Sequence, residues 1–259
     1  MGNYKVEGIV LRARDFGEAD RVLTILDRRL GKLEAVAKGI RRPRSSLRGA
    51  CQPFSQCVFL LWRGRTLDGI SQAEVVRSHA RLRDDLLLLA VASYIVELAD
   101  EALRERDPSP EAYELILGLF DWLETAEPSL ETAHHVLRTF ELGLLELSGF
   151  SPSLEACATC GRPEEAGPQA GRLAFSASAG GLICASCRQA ADSSGLILLA
   201  PGTVKAMRFL SRASPQQARA LRLTPQAAKE MGAALRSHIL YHFDRRPKSL
   251  DFLDTVLGR

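Results

Sequence analysis

The 259-residue sequence contains none of the short motifs of nucleotide or acyl chemistry. It has no GxxxxGK[ST] run to cradle phosphates, no GxGxxG dinucleotide fingerprint and no GxSxG nucleophile elbow. These absences argue against a P-loop NTPase, a dinucleotide oxidoreductase and an α/β-hydrolase. His238 and His242 stand four apart, but Ile239 occupies the place where a zincin needs glutamate. His134 and His135 point to different faces of a helix. Asp100, Glu101 and Glu105 read as a solvated acidic face, and Cys51 and Cys57 as small hydrophobes. An enzyme is therefore not expected.

Long apolar runs are also missing. The stretch Leu86 to Val96 falls short of the roughly 20 residues that span a bilayer, and it runs into Glu97, Asp100 and Glu101. Met1-Gly2-Asn3-Tyr4-Lys5 opens with no apolar signal region, and Val6 stands where a myristoylation signal wants Ser or Thr. No membrane or export address is expected, which leaves a reducing, cytoplasmic setting. Repeats and low-complexity tracts are absent too, and with 46% hydrophobic and 25% charged residues the chain can bury a core of one to three domains.

The net charge of +3 is spread unevenly. Residues 1–83 hold 17 Lys and Arg against 8 Asp and Glu, residues 84–150 hold 3 against 15, and residues 151–259 hold 14 against 8. The patterning changes at the same places. From Tyr4 to about Val76, short runs of two-residue alternation predict strands over Val6 to Arg14, Arg21 to Asp27, Lys32 to Lys38, Phe54 to Trp62 and Thr66 to Ser71. Leu30-Gly31 and Gly64-Arg65 read as hairpin turns. Five short strands suit a small closed barrel, because closure removes exposed edges. From Asp84 to about Phe150 the period becomes helical in Leu86 to Leu103, Tyr113 to Leu123 and Ala133 to Leu147, with caps at Ser109-Pro110 and Pro128-Ser129. Helical periodicity returns in Pro201 to Leu210 and Thr224-Pro225 to Phe243.

Two clusters carry chemistry. The first is Cys157, Cys160, Cys184 and Cys187, two CxxC pairs whose separation allows them to close a tetrahedron around one Zn²⁺. Gly161 suits a knuckle turn, and Gly180-Gly181 leave room for the chain to fold back. A pair of disulfides would need an oxidising compartment, and a redox CxxC would leave one pair idle. Four thiolates leave no open coordination position, so the expected metal is structural. The second cluster is the run Lys38-Gly39-Ile40-Arg41-Arg42-Pro43-Arg44-Ser45-Ser46-Leu47-Arg48, after a predicted strand. Its five cations lie either in solvent or against a polyanion, and nucleic acid fits through contacts to backbone phosphates. Phe16, Phe54 and Trp62 are candidate base stackers, although a core position is the stronger expectation for each.

The stretch Gly17-Glu18-Ala19-Asp20-Arg21-Val22-Leu23-Thr24, then Gly31-Lys32-Leu33, Ala37-Lys38-Gly39-Ile40-Arg41-Arg42 and Ser45-Ser46-Leu47, resembles the N-terminal domain of the bacterial recombination mediator RecO family. The resemblance continues through Phe140 to Leu145, Leu147 to Pro152, both cysteine pairs and Ser249 to Leu253. It implies an α+β multidomain fold: an OB-fold barrel over residues 1–80, a helical domain over 81–153, a zinc-binding segment over 154–192 and C-terminal helices over 193–259 that pack on the helical domain. Carried over by motif, Lys38, Arg41, Arg42 and Arg44 would fall on the DNA-binding face of the barrel, and Arg48 of the same basic run is expected to join them in binding DNA. Cys157, Cys160, Cys184 and Cys187 are the structural zinc ligands. The family binds single- and double-stranded DNA and anneals strands coated by single-strand-binding protein. With RecR it helps load RecA in the RecF repair pathway, which makes RecF and RecA further candidate partners and places the chain in the cytoplasm, at the nucleoid during repair. The acidic tail of the single-strand-binding protein would need a local basic groove, with Arg138 or Arg245-Arg246-Pro247-Lys248 as candidates. The competing readings are an RNA-binding accessory factor with a zinc ribbon, a zinc-stabilised protein scaffold, and a nuclease or hydrolase with an unrecognised site.

Overall fold

The computed structural model describes residues 2–164, 171–190 and 195–258. Contacts divide the chain into two compact units, Met1–Pro128 with Pro247–Arg259, and Ser129–Arg246. Residues 81–153, read from sequence as one helical domain, lie on both sides of this division.

The first unit is built on five strands, β1 (Asn3–Phe16), β2 (Asp20–Asp27), β3 (Gly31–Ala37), β4 (Gln56–Trp62) and β5 (Asp68–Arg77), closed into a barrel of order β1-β2-β3-β5-β4. This is the OB-like topology. Closure is made by a short parallel pairing, Ala35 with Asp68 and Val36 with Gly69. Inward residues of every strand, among them Val10, Leu23, Leu33, Phe59 and Ile70, form one buried cluster. β1 is longer than its alternation predicts because it pairs with β2 along one edge and with β4 along the other. β5 also extends past Ser71, since its pairing with β4 continues to Arg77. The side chains from Ser71 on are mostly exposed, Val75 and Val76 included, so the in-and-out pattern that reveals a strand is lost. The β2–β3 turn needs Gly31, which has φ +70° and would place a Cβ 2.0 Å from the Asp107 carbonyl oxygen.

Three helices follow the barrel: α1 (Arg81–Asp84), α2 (Leu86–Ala102) and α3 (Pro110–Thr125). Ser109 precedes α3 with proline in its first turn, as the sequence predicts. The helix α9 (Ser249–Val256) packs on α2. Glu97 of α2 fixes it by accepting from the amides of Lys248 (3.0 Å) and Ser249 (2.7 Å).

The second unit begins with α4 (Leu130–Leu147), where the Ser129 hydroxyl caps the Thr132 amide. A three-stranded sheet of order β7-β6-β8 follows, from β6 (Leu173–Ser176), β7 (Gly181–Ile183) and β8 (Ile197–Leu199), with α5 (Ala185–Ala190) after β7. Then come α6 (Pro201–Leu210), α7 (Pro215–Ala218) and α8 (Pro225–Phe243). α8 and α6 both pack on α4. His238 is buried, with Nε2 2.8 Å from the Phe150 carbonyl oxygen, and its ring lies 4.3 Å from that of His242. Burial holds His238 below the usual histidine range. Among the described residues, no helix is long and apolar enough to cross a membrane.

Candidate nucleic-acid interface and metal centre

The chain from Lys38 to Ser55 is a series of turns that is stitched to the barrel at both ends. At its start the Gly39 amide donates to Asp20 Oδ1 (2.7 Å) and the Arg41 amide to the Ala19 carbonyl (3.0 Å). Ile40, Leu47, Ala50 and Cys51 enter the same buried cluster as the strands. With those side chains inside, Lys38, Arg41, Arg42, Arg44 and Arg48 remain exposed. Lys38 Nζ sits 5.5 Å from the ring centre of Trp62, which is half-buried. Phe16 is 47% exposed at the end of β1, whereas Phe54 is buried with its ring edge-on to Phe120 and cannot stack on a base.

Charge pairing sorts these cations. Arg41 lies 3.4 Å from Asp15, which also takes a 2.8 Å bond from Arg21. The Arg21 hydrogen bond, with the Arg41 charge behind it, outweighs the small desolvation and holds the Asp15 carboxyl below the usual carboxylate range. Lys38, Arg42, Arg44 and Arg48 have no carboxylate in ion-pair reach among the described residues. Three acidic residues of the helices are engaged elsewhere: Asp100 with Arg12 (3.3 Å) and Lys32 (3.0 Å), Glu114 with Arg28 (3.2 Å), and Asp121 with Arg77. Arg138, a candidate contact for an acidic tail, is buried beside Glu141 at 3.0 Å and cannot reach a partner protein. Helical periodicity alone did not reveal which side of α4 was covered. Arg245, Arg246 and Lys248 are exposed.

The four cysteines converge in the second unit, with all Sγ atoms within 4.8 Å of one another. The first pair forms a knuckle in which the Gly161 amide donates to the Cys157 carbonyl (2.8 Å) and the Cys157 amide to Arg162 (2.8 Å). The second pair sits where β7 ends and α5 begins. The two are brought together by strand-like pairing of Ser153 with the chain at Gly180 and Leu182, through bonds of 2.9 and 2.8 Å. Gly181 makes this approach possible, because a Cβ there would lie 2.3 Å from the Ser153 carbonyl oxygen. Arg208 of α6, which sequence reasoning passed over, clamps the knuckle by donating to the carbonyls of Leu154 (2.9 Å from Nε) and Glu164 (2.7 Å). No local pattern marks that role, since its partners are backbone atoms far away in sequence.

The sulfur geometry fits a metal. Cys160 and Cys184 Sγ are 3.7 Å apart, whereas a disulfide requires about 2.05 Å and a tetrahedral site with bonds of about 2.3 Å has edges of about 3.8 Å. Burial works against a Cys157 thiolate, yet the amides of Cys184, Cys160 and Thr159 bring its pKa down to about 6. Hydrogen bonding to Cys184 and the other thiols pushes Cys187 up to about 12. Four crowded thiols cannot all ionise unless a cation compensates them, and a divalent ion with soft affinity for sulfur does so.

Two family models together match nearly the whole chain, Recombination protein O N terminal over residues 1–79 and Recombination protein O C terminal over residues 83–251. A DNA repair protein RecO of Symbiobacterium thermophilum is 41% identical over 257 residues, 99% of this chain and 98% of the relative. A DNA repair protein RecO of Moorella thermoacetica is 37% identical, over 99% of this chain and 92% of the relative. A third, from an Anaeromyxobacter species, is 37% identical over 99% and 98%. With barrel, cysteine cluster and full-length similarity in agreement, the chain belongs to the RecO family of DNA repair proteins.

Proposed function

We propose that this chain is a recombination mediator of the RecF pathway. It binds single- and double-stranded DNA, anneals strands coated by single-strand-binding protein and, with RecR, helps load RecA. It acts in the cytoplasm, at the nucleoid during repair, with RecF as a further partner, and it performs no bond-making chemistry of its own. The observation that carries this reading is the turn-rich segment after β3. Its apolar residues lock it to the barrel while Lys38, Arg41, Arg42, Arg44 and Arg48 are exposed, four of them with no carboxylate in ion-pair reach among the described residues. Cations on a segment fixed to the barrel suit phosphate contacts, because the backbone that carries them need not be ordered on binding. We assign the four-cysteine centre to one structural Zn²⁺, held by Cys157, Cys160, Cys184 and Cys187, whose chemistry is to fix the two knuckles.

The test is strand annealing with complementary oligonucleotides precoated by single-strand-binding protein. Wild-type protein accelerates it, and the Arg41→Ala, Arg42→Ala, Arg44→Ala triple variant does not. In a direct titration the log-log salt slope of single-strand affinity becomes shallower by about 2, three contacts at about 0.7 each. An unchanged slope would remove these residues from the interface. Because Arg41 is partly neutralised by Asp15, Arg42 and Arg44 dominate the loss.

A further inference from the structure

The first unit carries a second concentration of cations, on other elements than the segment after β3. A cleft of about 1100 Å³ runs between the outer face of β1 and β4, the β2–β3 turn and the start of α3. That exceeds the roughly 300–1000 Å³ that encloses a single small ligand. Of its carboxylates Glu114 is paired with a cation, whereas Asp27 and Glu7 are held by amides and keep their charge, which the unpaired cations of the wall exceed by one. Asp27 accepts from the amides of Glu7 (3.0 Å), Arg29 (2.7 Å) and Leu30 (2.7 Å). Glu114 pairs with Arg28 at 3.2 Å, and Glu7 takes the Gln56 amide at 3.0 Å. Lys5, Arg29 and Arg63, all exposed, have no ion-pair partner among the described residues. They sit on three separate elements, so their charge is spread along the wall and does not converge on one point. The Arg63 guanidinium lies 5.8 Å from the centre of the Tyr4 ring, and the Tyr4 hydroxyl is pinned by a 2.5 Å bond to Asp68. A planar cation over a fixed aromatic ring is the kind of surface on which bases stack.

We propose that this cleft is a second polynucleotide site, holding the phosphodiester backbone of another single strand on Lys5, Arg29 and Arg63 while the cations after β3 hold the first. The proposal rests on the DNA-binding role put forward above. Two strands held by one chain meet at an effective concentration set by the protein rather than by bulk solution, which is what annealing requires. A spread row of cations beside a stacking platform favours a nucleic-acid strand over an acidic peptide.

The experiment counts strands. The full chain is titrated with a labelled oligo-dT of about eight nucleotides and the stoichiometry is read at saturation. Wild type takes two per chain, the Lys5→Ala, Arg29→Ala, Arg63→Ala variant one, and the Arg42→Ala, Arg44→Ala, Arg48→Ala variant one. Thermal melts stay unchanged because all six side chains are exposed. A single strand on wild type, lost only in the Arg42, Arg44, Arg48 variant, overturns the cleft proposal and leaves the DNA-binding role standing. No strand on wild type overturns both. A Glu-rich peptide that binds wild type but not the cleft variant, with the strand count unchanged between them, makes the cleft a protein-docking surface and also overturns the proposal.

Discussion

Removing the metal is expected to unfold the neighbourhood of the cysteines while the barrel stays folded. Among the described residues, the buried cluster there comprises Cys157, Ala174, Ile183 and Cys184, with Ala179, Cys187 and Leu196 partly buried against it. Small side chains in such number offset little of the entropy of ordering the segment, and bonds to the proposed Zn²⁺ would supply the difference. For structural zinc that contribution is on the order of 10 kcal/mol. Either a strong chelator or Cys184→Ser should therefore abolish a zinc content of about one per chain. It should also expose the amides of Ser153, Ala158 and Leu182 to hydrogen exchange, since their partners lie across the two knuckles. Barrel amides should keep their protection and short oligonucleotides should still bind, because the barrel belongs to the other compact unit. Undiminished protection in metal-free wild type would show that the cysteines pack without an ion.

The second large effect concerns Glu230 of α8. Its carboxylate accepts from the Ala200 backbone amide (2.8 Å), the Thr203 hydroxyl (2.6 Å), the Gln226 side-chain amide (3.0 Å) and the Arg172 guanidinium (2.6 Å), tying α8 to α6, to the residue between β8 and α6 and to the residue before β6. Burial opposes its charge, but these donors prevail and bring the pKa down to about 2. A depressed carboxylate stabilises the fold fully above its ordinary value near 4.3, and that stability is lost as pH falls toward about 2. The contribution at neutral pH is about 3 kcal/mol. Glu230→Ala should remove a similar amount, since it strands the Ala200 amide and the buried Thr203 hydroxyl. In chemical denaturation, wild type loses stability relative to the variant as pH is lowered from 5 to 2, roughly the window set by the two pKa values. A difference independent of pH over that window would mean that Glu230 acts through packing rather than through its charge.

Much of this architecture was legible in the residues, and the gaps have physical causes. Strand alternation located all five barrel strands because each buries one face against a common core. Ser109-Pro110 and Ser129 located helix starts because the chemistry of those ends is local, through the proline in the first turn of α3 and the Ser129 hydroxyl that caps α4. The sheet β7-β6-β8 left no such trace: β6 is buried throughout and β7 and β8 have three residues each, too few to alternate. Periodicity revealed that α2, α4 and α8 bury a stripe but not against what, so the division at Pro128 and Pro247 stayed hidden. For the candidate sites, cysteine spacing picked out the four side chains that the fold gathers, because a shared ion would need them at that spacing. The basic run was visible as composition, yet the pairing of Arg41 with Asp15 and the row of Lys5, Arg29 and Arg63 depend on the folded barrel.

The chain leaves its first unit after Pro128 and rejoins it at Pro247, where α9 settles on α2. During synthesis the ribosome therefore releases the barrel long before the helix that completes its unit. At about 5–20 residues per second, the apolar stripe of α2 waits on the order of ten seconds for its cover. Nascent chains of this protein thus pass through a stage in which a formed barrel carries an unfinished flank, when holdase chaperones have their best opportunity to engage it.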